Sequence, residues 1–280
     1  MKLKIKHLYF FIAALVHMCI FAQNTDTQFY FNLKNKQISP VQALSFYLQF
    51  ESVSGSEKEA GEFLKNLCKE NGLFITQMGN TDGNYNFAAS IHPLSQDTTN
   101  IIFLNHIDVV PAGDHSKWLN PPFSGLIIED EIWGRGAFDN KGAAIMQLAS
   151  IIEISRRYKN KPTDYNITFL AVSCEETQCE GGVKYVVDNY FDELNPCVII
   201  GEGPPSLNNV LPSQPEADIF GISVAHKRPL WLKIEANIET SGHGSIPPNS
   251  YSNKELVTAL SAIVSAKQKV KFNKLNTDLL

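Results

Sequence analysis

Several acidic side chains and one histidine stand directly after short apolar runs or tight turns, where they could meet in one site. These residues are His106, Asp108, Asp139, Glu175, Glu176 and Glu202. Two carboxylates about 4 Å apart repel each other by roughly 4 kcal/mol at an effective dielectric constant of 20. Divalent metal ions remove that conflict, and an imidazole with several carboxylates is a ligand set that suits zinc or a related first-row metal. The residue types therefore predict a metal centre, with Zn²⁺ as the expected ion and Co²⁺ or Mn²⁺ as alternatives.

Three apolar runs must position most of these side chains. Residues 101–104 lead to the histidine, residues 167–173 to the adjacent glutamates, and residues 198–200 to the last glutamate. Helix patterns, roughly 142–158 and 182–191, separate the runs. Continuous apolar strands alternating with helices predict an α/β fold with a mostly parallel sheet flanked by helices. Ligands of such sheets bind beyond the carboxyl ends of the strands, so we expect the side chains to converge there.

The local sequence around two of the acids suggests what they do. His106 and Asp108 are two residues apart at a strand end, so their side chains share a face, and the carboxylate could fix the tautomer of a metal-bound imidazole. Asp139 lies in GRGAFDNKGAA, a glycine-rich turn before a helix, which leaves its carboxylate free to bridge two ions. Each motif alone is common in structural roles. Their occurrence together, in order and at strand ends, indicates a site.

Other segments complete the predicted architecture. Apolar residues at helical spacing predict two helices between residues 40 and 71, and Ser56 with Glu59 fits a capping box at the start of the second. Apolar and polar residues alternate from Leu230 to Ile238, which predicts a half-exposed antiparallel strand, and a helix pattern follows at about 253–266. We therefore expect a main domain over residues 23–222 and the start of a second, α+β domain over residues 223–280.

The N-terminus is typical of a secretory signal peptide over residues 1–22. It combines Lys2, Lys4 and Lys6 with an apolar core and the small residue Ala22. The unbroken apolar run is far shorter than the roughly 20 residues of a membrane-spanning helix, so we expect a secreted or periplasmic protein without stable membrane insertion. A retained anchor is the alternative. The formal net charge of −5 argues against a nucleic-acid partner.

Cysteine usage does not indicate a disulfide framework. Removal of the leader leaves Cys68, Cys174, Cys179 and Cys197. One bridge could form, and the spacing does not say which. Because Cys174 and Cys197 lie in apolar strand patterns, buried free thiols are the expected state of these two.

The order of the motifs resembles a family of co-catalytic dizinc metallopeptidases. That family includes carboxypeptidase S, aminoacylase, succinyl-diaminopimelate desuccinylase and acetylornithine deacetylase, and the carboxypeptidase S-like branch looks most similar. The matching segments are SVSGSE (52–57), NHIDVVP (105–111), WLNPPFSG (118–125), IWGRGAFDNKGA (132–143), SCEETQCEGG (173–182), GEG (201–203) and SGHGSIPP (241–248).

The resemblance implies a role for each metal-site residue. His106 and Glu202 would bind the first of two divalent ions, Asp139 would bridge both ions, and Glu176 would bind the second. Asp108 would orient the histidine.

For catalysis, the resemblance implies that Glu175 is the general base. It would take a proton from the attacking water and return it to the departing nitrogen. His243, from the second domain, would stabilise the oxyanion across a dimer interface. The resemblance also implies a catalytic domain over residues 23–222, an inserted lid and dimerisation domain, and a homodimer. The expected substrate is a small peptide or an N-acyl amino acid.

The chain departs from the family pattern near its end. The family's second metal takes another histidine from a segment after the inserted domain, and no histidine of this sequence lies at a matching place. We therefore expect a sequence truncated at the C-terminus. The alternative is a degenerate fragment that binds metal or peptide without turnover. A nucleotide-binding α/β protein is excluded because no phosphate-binding glycine loop follows a first strand.

Overall fold

A computed structural model describes residues 29–79, 84–158, 161, 163–203, 206–223, 232–239 and 248–267. The chain separates into two compact units, with the boundary between Gly221 and Ile222. The predicted leader and His243 lie outside the described residues. Within the described residues, no helix combines the length and apolar character needed to cross a membrane.

The first unit alternates short strands with helices. In chain order its elements are β1 (Phe31–Leu33), β2 (Lys36–Ile38), α1 (Pro40–Leu48), α2 (Lys58–Glu70), β3 (Phe74–Gln77), β4 (Phe87–Ser90), β5 (Asn100–His106), a 3₁₀ turn (His115–Lys117), β6 (Leu126–Ile128), β7 (Glu131–Trp133), α3 (Lys141–Tyr158), β8 (Asn166–Val172), α4 (Val183–Leu194) and β9 (Pro196–Ile200). The helices expected near 40–71, 142–158 and 182–191 are confirmed.

The central sheet is mixed rather than mostly parallel, which corrects the expectation. Its strand order is β3-β4-β8-β5-β9. The three apolar runs form β5, β8 and β9, and these strands pair in parallel as expected. However, β3 pairs antiparallel with β4, and β4 pairs antiparallel with β8. Only residues 78–86 join β3 to β4, and a parallel crossover needs a dozen residues or more, so this pair can only be antiparallel.

The sheet is covered on both faces, which explains the continuous apolar sequence of β8. Phe169 and Ala171 belong to a core cluster shared with helices α1, α2 and α3. Leu170 and Val172 point to the opposite face and pack with Val186 of α4. Successive residues of a strand face opposite sides of the sheet, so a strand buried on both faces must be apolar throughout.

The predicted capping box at α2 is wrong, and a capping box occurs at α1 instead. The Ser39 hydroxyl accepts from the Gln42 N–H at 3.2 Å, and the Gln42 side chain accepts from the Ser39 N–H at 2.9 Å. At α2 the N-cap residue is Glu57, which makes no side-chain capping bond. Its carboxylate instead accepts hydrogen bonds from Gly55 in its own loop and from Cys174 after β8.

The second unit is described only in parts. Helix α5 (Ser252–Ser265) confirms the helix predicted at about 253–266. Residues 232–239, the described part of the predicted antiparallel strand, form no strand with other described residues. The N–H of Ile238 instead donates to the Ser252 hydroxyl at 3.2 Å.

Candidate metal centre

The predicted site residues gather at the carboxyl ends of β5, β8 and β9. His106 is the last residue of β5 and is paired in register with Val172, the last residue of β8. Glu175 and Glu176 follow in the turn after β8, and Glu202 follows β9. Parallel pairing makes the three strands end at the same edge of the sheet, so the polar residues that follow them converge.

His106 is buried and turns one ring nitrogen toward carboxylates. Its Nδ1 lies 2.9 Å from the backbone oxygen of Asp108 and 3.5 Å from the Asp108 carboxylate. Its Nε2 lies 3.0 Å from Asp139 Oδ1 and 3.4 Å from Glu202 Oε2. A proton on Nδ1, donated to the Asp108 carbonyl, leaves Nε2 as the nitrogen that faces the acids, where a metal ion would replace its proton. This is the tautomer that a metal-binding histidine needs.

Among the residues that the structure describes, two overlapping groups of side chains could hold metal ions. One consists of His106, Glu175 and Glu202, and the other of His106, Asp139 and Glu176. Within each group, one potential ligand atom per residue lies within 4.8 Å of the others. The structure therefore brings together the four predicted metal ligands and the predicted general base.

Asp108 connects the histidine to the glutamate turn. Its carboxylate is fully buried and accepts from the Ser54 hydroxyl at 2.6 Å. It also accepts from the backbone N–H groups of Glu175 at 3.0 Å and Glu176 at 3.1 Å. Burial raises the pKa of Asp108, but the nearby His106 imidazole and hydrogen bonds from Ser54 and the Glu175 amide outweigh it and hold the pKa below its usual value. Asp108 thus stays charged and fixes the backbone of both glutamates.

The crowded charges shift the pKa of three further groups, His106, Glu175 and Glu176. Burial lowers the pKa of His106, but the carboxylates of Asp108, Glu175 and Glu202 outweigh it and raise the pKa to about 9. Burial and neighbouring carboxylates raise the pKa of Glu175 and of Glu176 above the usual value. Negative charge is thus concentrated at this edge of the sheet, which is the field that a divalent cation compensates.

The turn that carries Asp139 is anchored from behind. The Asp139–Asn140 peptide bond is cis. The next residue, Lys141, is fully buried, and its ammonium donates to the backbone oxygens of Tyr47 at 3.1 Å and Phe50 at 2.8 Å. These oxygens lie at the end of α1, so the lysine ties the Asp139 turn to that helix.

Sequence reasoning missed the role of Ser54 and Glu57, although both lie in the SVSGSE motif. Glu57 is fully buried, and its carboxylate accepts from the N–H groups of Gly55 at 2.8 Å and Cys174 at 3.3 Å. Burial, with a smaller contribution from the charge of Asp108, raises the pKa of Glu57 to about 7. The signal in the sequence was Glu57 itself, an acidic residue directly before α2. It makes no capping bond to that helix, so its position there had no local explanation.

The expectation of buried free thiols at Cys174 and Cys197 is wrong in two respects. Cys174 forms a disulfide with Cys179, at a Cα–Cα distance of 5.3 Å. Cys197 is a free thiol but is exposed, while Cys68 is free and buried. The chain reverses after β8 because Cys174 adopts a left-handed backbone (φ +62°), which brings the two cysteines together. Periodicity of apolar residues cannot show such a reversal.

A groove of about 640 Å³ adjoins the site. Asp139 and Glu202 lie on its wall beside apolar residues that include Leu44, Phe138 and Met146. Bound molecules could therefore meet the acidic cluster and an apolar surface together.

Comparison with known proteins places the chain in a family. A family model described as peptidase family M20/M25/M40 matches residues 102–277. The chain belongs to this family. The match confirms the resemblance drawn from the motifs, and the matched range contains every described site residue from His106 to Glu202.

Two curated M20 relatives illustrate the similarity. Probable carboxypeptidase S-like 2 of Dictyostelium discoideum is 30% identical over 188 residues, which cover 66% of this chain and 35% of that protein. A succinyl-diaminopimelate desuccinylase of Rickettsia felis is 32% identical over 146 residues, which cover 51% of this chain and 38% of that protein. The chain therefore spans little more than a third of the length of these relatives.

A solved M20 structure supports the fold. The M20 family metallo-carboxypeptidase Sso-CP2 from Sulfolobus solfataricus aligns with a TM-score of 0.52 at 24% identity, over 60% of this chain and 38% of that chain. The likeness concerns the α/β fold with its mixed sheet and flanking helices.

Proposed function

We propose that this protein is a metal-dependent hydrolase of amide bonds that acts on small peptides or N-acyl amino acids. The observation that carries the proposal is the pair of overlapping ligand groups that share His106 at the carboxyl ends of three parallel strands. Membership of the M20 family supports the same reaction class. Relatives whose names denote a carboxypeptidase and a desuccinylase both point to amide cleavage.

The residues present fit one divalent ion and part of the ligand set of a second, with Zn²⁺ expected and Co²⁺ or Mn²⁺ as alternatives. The family resemblance assigns His106, Asp139 and Glu202 to the first ion and Asp139 with Glu176 to the second. The side chains also bring Glu175 close to His106 and Glu202, where the resemblance assigns it to proton transfer instead. One imidazole and several carboxylates are ligands that zinc accepts. When bound, such ions lower the pKa of a bound water and polarise a substrate carbonyl.

Glu175 is the residue that we assign to proton transfer. Glu175 is exposed, its carboxylate lies within 4.8 Å of potential ligand atoms of His106 and Glu202, and its N–H donates to Asp108 at 3.0 Å. Because burial and neighbouring acids raise its pKa above the usual value, it binds a proton more readily than a free glutamate. Glu175 can therefore accept a proton from the attacking water and deliver it to the departing nitrogen.

Further proposals follow from the motifs. His243 would stabilise the oxyanion from the lid domain that starts at residue 223, within a homodimer built through that domain. Residues 1–22 would direct export to the periplasm or the exterior, where the disulfide would persist.

The adjacent glutamates allow a direct test. We expect Glu175→Ala to abolish hydrolysis of dipeptides and N-acetyl amino acids while its zinc content, measured by mass spectrometry, stays near that of the wild type. Glu176→Ala should lose zinc as well. Equal metal loss in both variants would refute the assigned roles. A wild-type protein that binds zinc, cobalt or manganese and hydrolyses none of these substrates would refute the function and indicate binding without turnover.

A further inference from the structure

The two central glutamates of the site lie inside a small covalent ring. The disulfide between Cys174 and Cys179 closes a loop that contains Glu175 and Glu176. Two residues of this loop, Cys174 (φ +62°) and Gln178 (φ +52°), have left-handed backbones. That conformation is disfavoured for residues with a Cβ atom, so local preference does not favour this loop conformation. Other interactions must hold the loop.

One arm of the ring is held by hydrogen bonds to buried carboxylates. The N–H of Cys174 donates to Glu57 at 3.3 Å, and those of Glu175 and Glu176 donate to Asp108 at 3.0 and 3.1 Å. Three successive amides are thus fixed by two acids from separate loops. These bonds fix the backbone where the glutamate side chains begin.

The other arm is joined to the first by the disulfide. Cys179 is half-buried, and Glu180 separates it from Gly181 and Gly182. The Gly181 oxygen accepts from the Asn86 side chain at 2.8 Å. A Cβ atom on Gly182 would lie 2.1 Å from the Ser173 oxygen, so the returning chain passes very close to the end of β8. The returning chain therefore lies next to the end of β8 just beyond the ring, and the disulfide joins the two arms within it.

We propose that the Cys174–Cys179 disulfide is a positioning element of the metal centre. It holds the glutamate loop in the conformation that presents Glu176 to a metal ion and Glu175 to the reacting water. Opening it weakens metal binding and slows turnover while the rest of the first unit stays folded, because both core clusters lie outside the loop. The effect on turnover rests on the function proposed above, whereas the effect on metal affinity does not.

The ring opens by a balanced exchange reaction. A dithiol attacks one cysteine sulfur, and its second thiol then resolves the mixed disulfide. The S–S bond of the protein breaks as two electrons and two protons arrive from the dithiol, which becomes a cyclic disulfide. The products on the protein are two free thiols, at Cys174 and Cys179.

The test compares a double variant with a matched control. Cys174→Ser with Cys179→Ser removes the bridge, and Cys197→Ser makes the same replacement at an exposed free thiol. Each purified protein is titrated with Co²⁺ while the visible absorption of the bound ion is recorded, and far-UV circular dichroism monitors folding. We expect the double variant to remain folded, to bind Co²⁺ about 10- to 100-fold more weakly, and to show an altered spectrum, as for other changes in groups that orient metal ligands. The control should match the wild type.

If the double variant fails to fold, the same titration on reduced wild-type protein still tests the inference. The protein is treated with dithiothreitol, freed of it under argon, and its thiols are counted by mass. The inference is overturned if the double variant or the reduced wild type binds Co²⁺ within twofold of the affinity of the oxidised protein and with an unchanged spectrum. If the oxidised protein hydrolyses no amide substrate but loses Co²⁺ affinity when the ring is opened, the proposed function fails and the positioning role stands.

Discussion

Glu57→Gln removes the charge of a fully buried carboxyl group while nearly keeping its shape. Glu57 accepts two backbone N–H groups, one of which belongs to Cys174 beside the glutamate loop. Burial, reinforced by the nearby charge of Asp108, raises the pKa of Glu57 from its ordinary value of 4.5 to about 7. The folded protein therefore binds this proton more tightly than the unfolded chain does.

The sign and size of the effect follow from that difference. The stabilisation from protonated Glu57 is fully present below the unfolded pKa and is lost as the pH rises through the folded pKa. A tenfold change in proton affinity corresponds to about 1.4 kcal/mol, so the contribution falls by about 2.5 kcal/mol between pH 5 and pH 8. Glutamine does not titrate and lacks this dependence. We expect wild-type stability relative to the variant to decline by that amount over this range.

Urea unfolding at pH 5, 6, 7 and 8, followed by tryptophan fluorescence, measures the difference. Glu62→Gln on the same helix is the control. Burial raises the pKa of Glu62, but hydrogen bonds from Tyr85 and Lys65 outweigh it and hold the pKa below its usual value. Glu62 is thus ionised throughout, and its replacement should give an offset independent of pH. Stability curves of wild type and Glu57→Gln that run parallel from pH 5 to pH 8 would refute the reasoning.

Three further outcomes are expected. Lys141→Met should lower the free energy of unfolding by about 1.5–3 kcal/mol in urea, because it removes the charged donor that ties the Asp139 turn to two backbone oxygens at the end of α1, and a loss below about 1 kcal/mol would contradict this. Gly61→Ala should lower the free energy of unfolding by about 1–3 kcal/mol, because its Cβ would lie 2.3 Å from the Tyr85 ring. An unchanged thermal midpoint would argue against that overlap. Mass spectrometry of the exported protein should find a chain that begins near Gln23, and retention of Met1 would count against the leader.

Much of the fold and the site could be read from the sequence where the signal was local. The apolar runs before His106, Glu175 and Glu202 became parallel strands because strands buried on both faces need continuous apolar residues. Helix periodicity placed α3 and α4 to within a few residues. The short strands β3 and β4 went unseen because four residues are too few to show a period.

The errors came from residues whose partners are distant in sequence. Ser56 was expected to cap α2, but Glu57 lies there, and its carboxylate bonds a residue 117 positions away. Cys174 was expected to be a free thiol, but a left-handed backbone angle directs the chain back to Cys179.

The sequence by itself determined the family, the order along the chain of the strands that carry the acids, and the identity of the residues that could bind metal. These depend on residue type and spacing, which can be read directly from the sequence. Only the tertiary structure decided that Asp108 and Glu57 hold three successive amides of the glutamate loop, and that a disulfide closes this loop. The physical reason is that a hydrogen bond or a disulfide depends on distance and direction between atoms. Those are set by how β5, β8 and the loop before α2 pack together, and no local pattern encodes them.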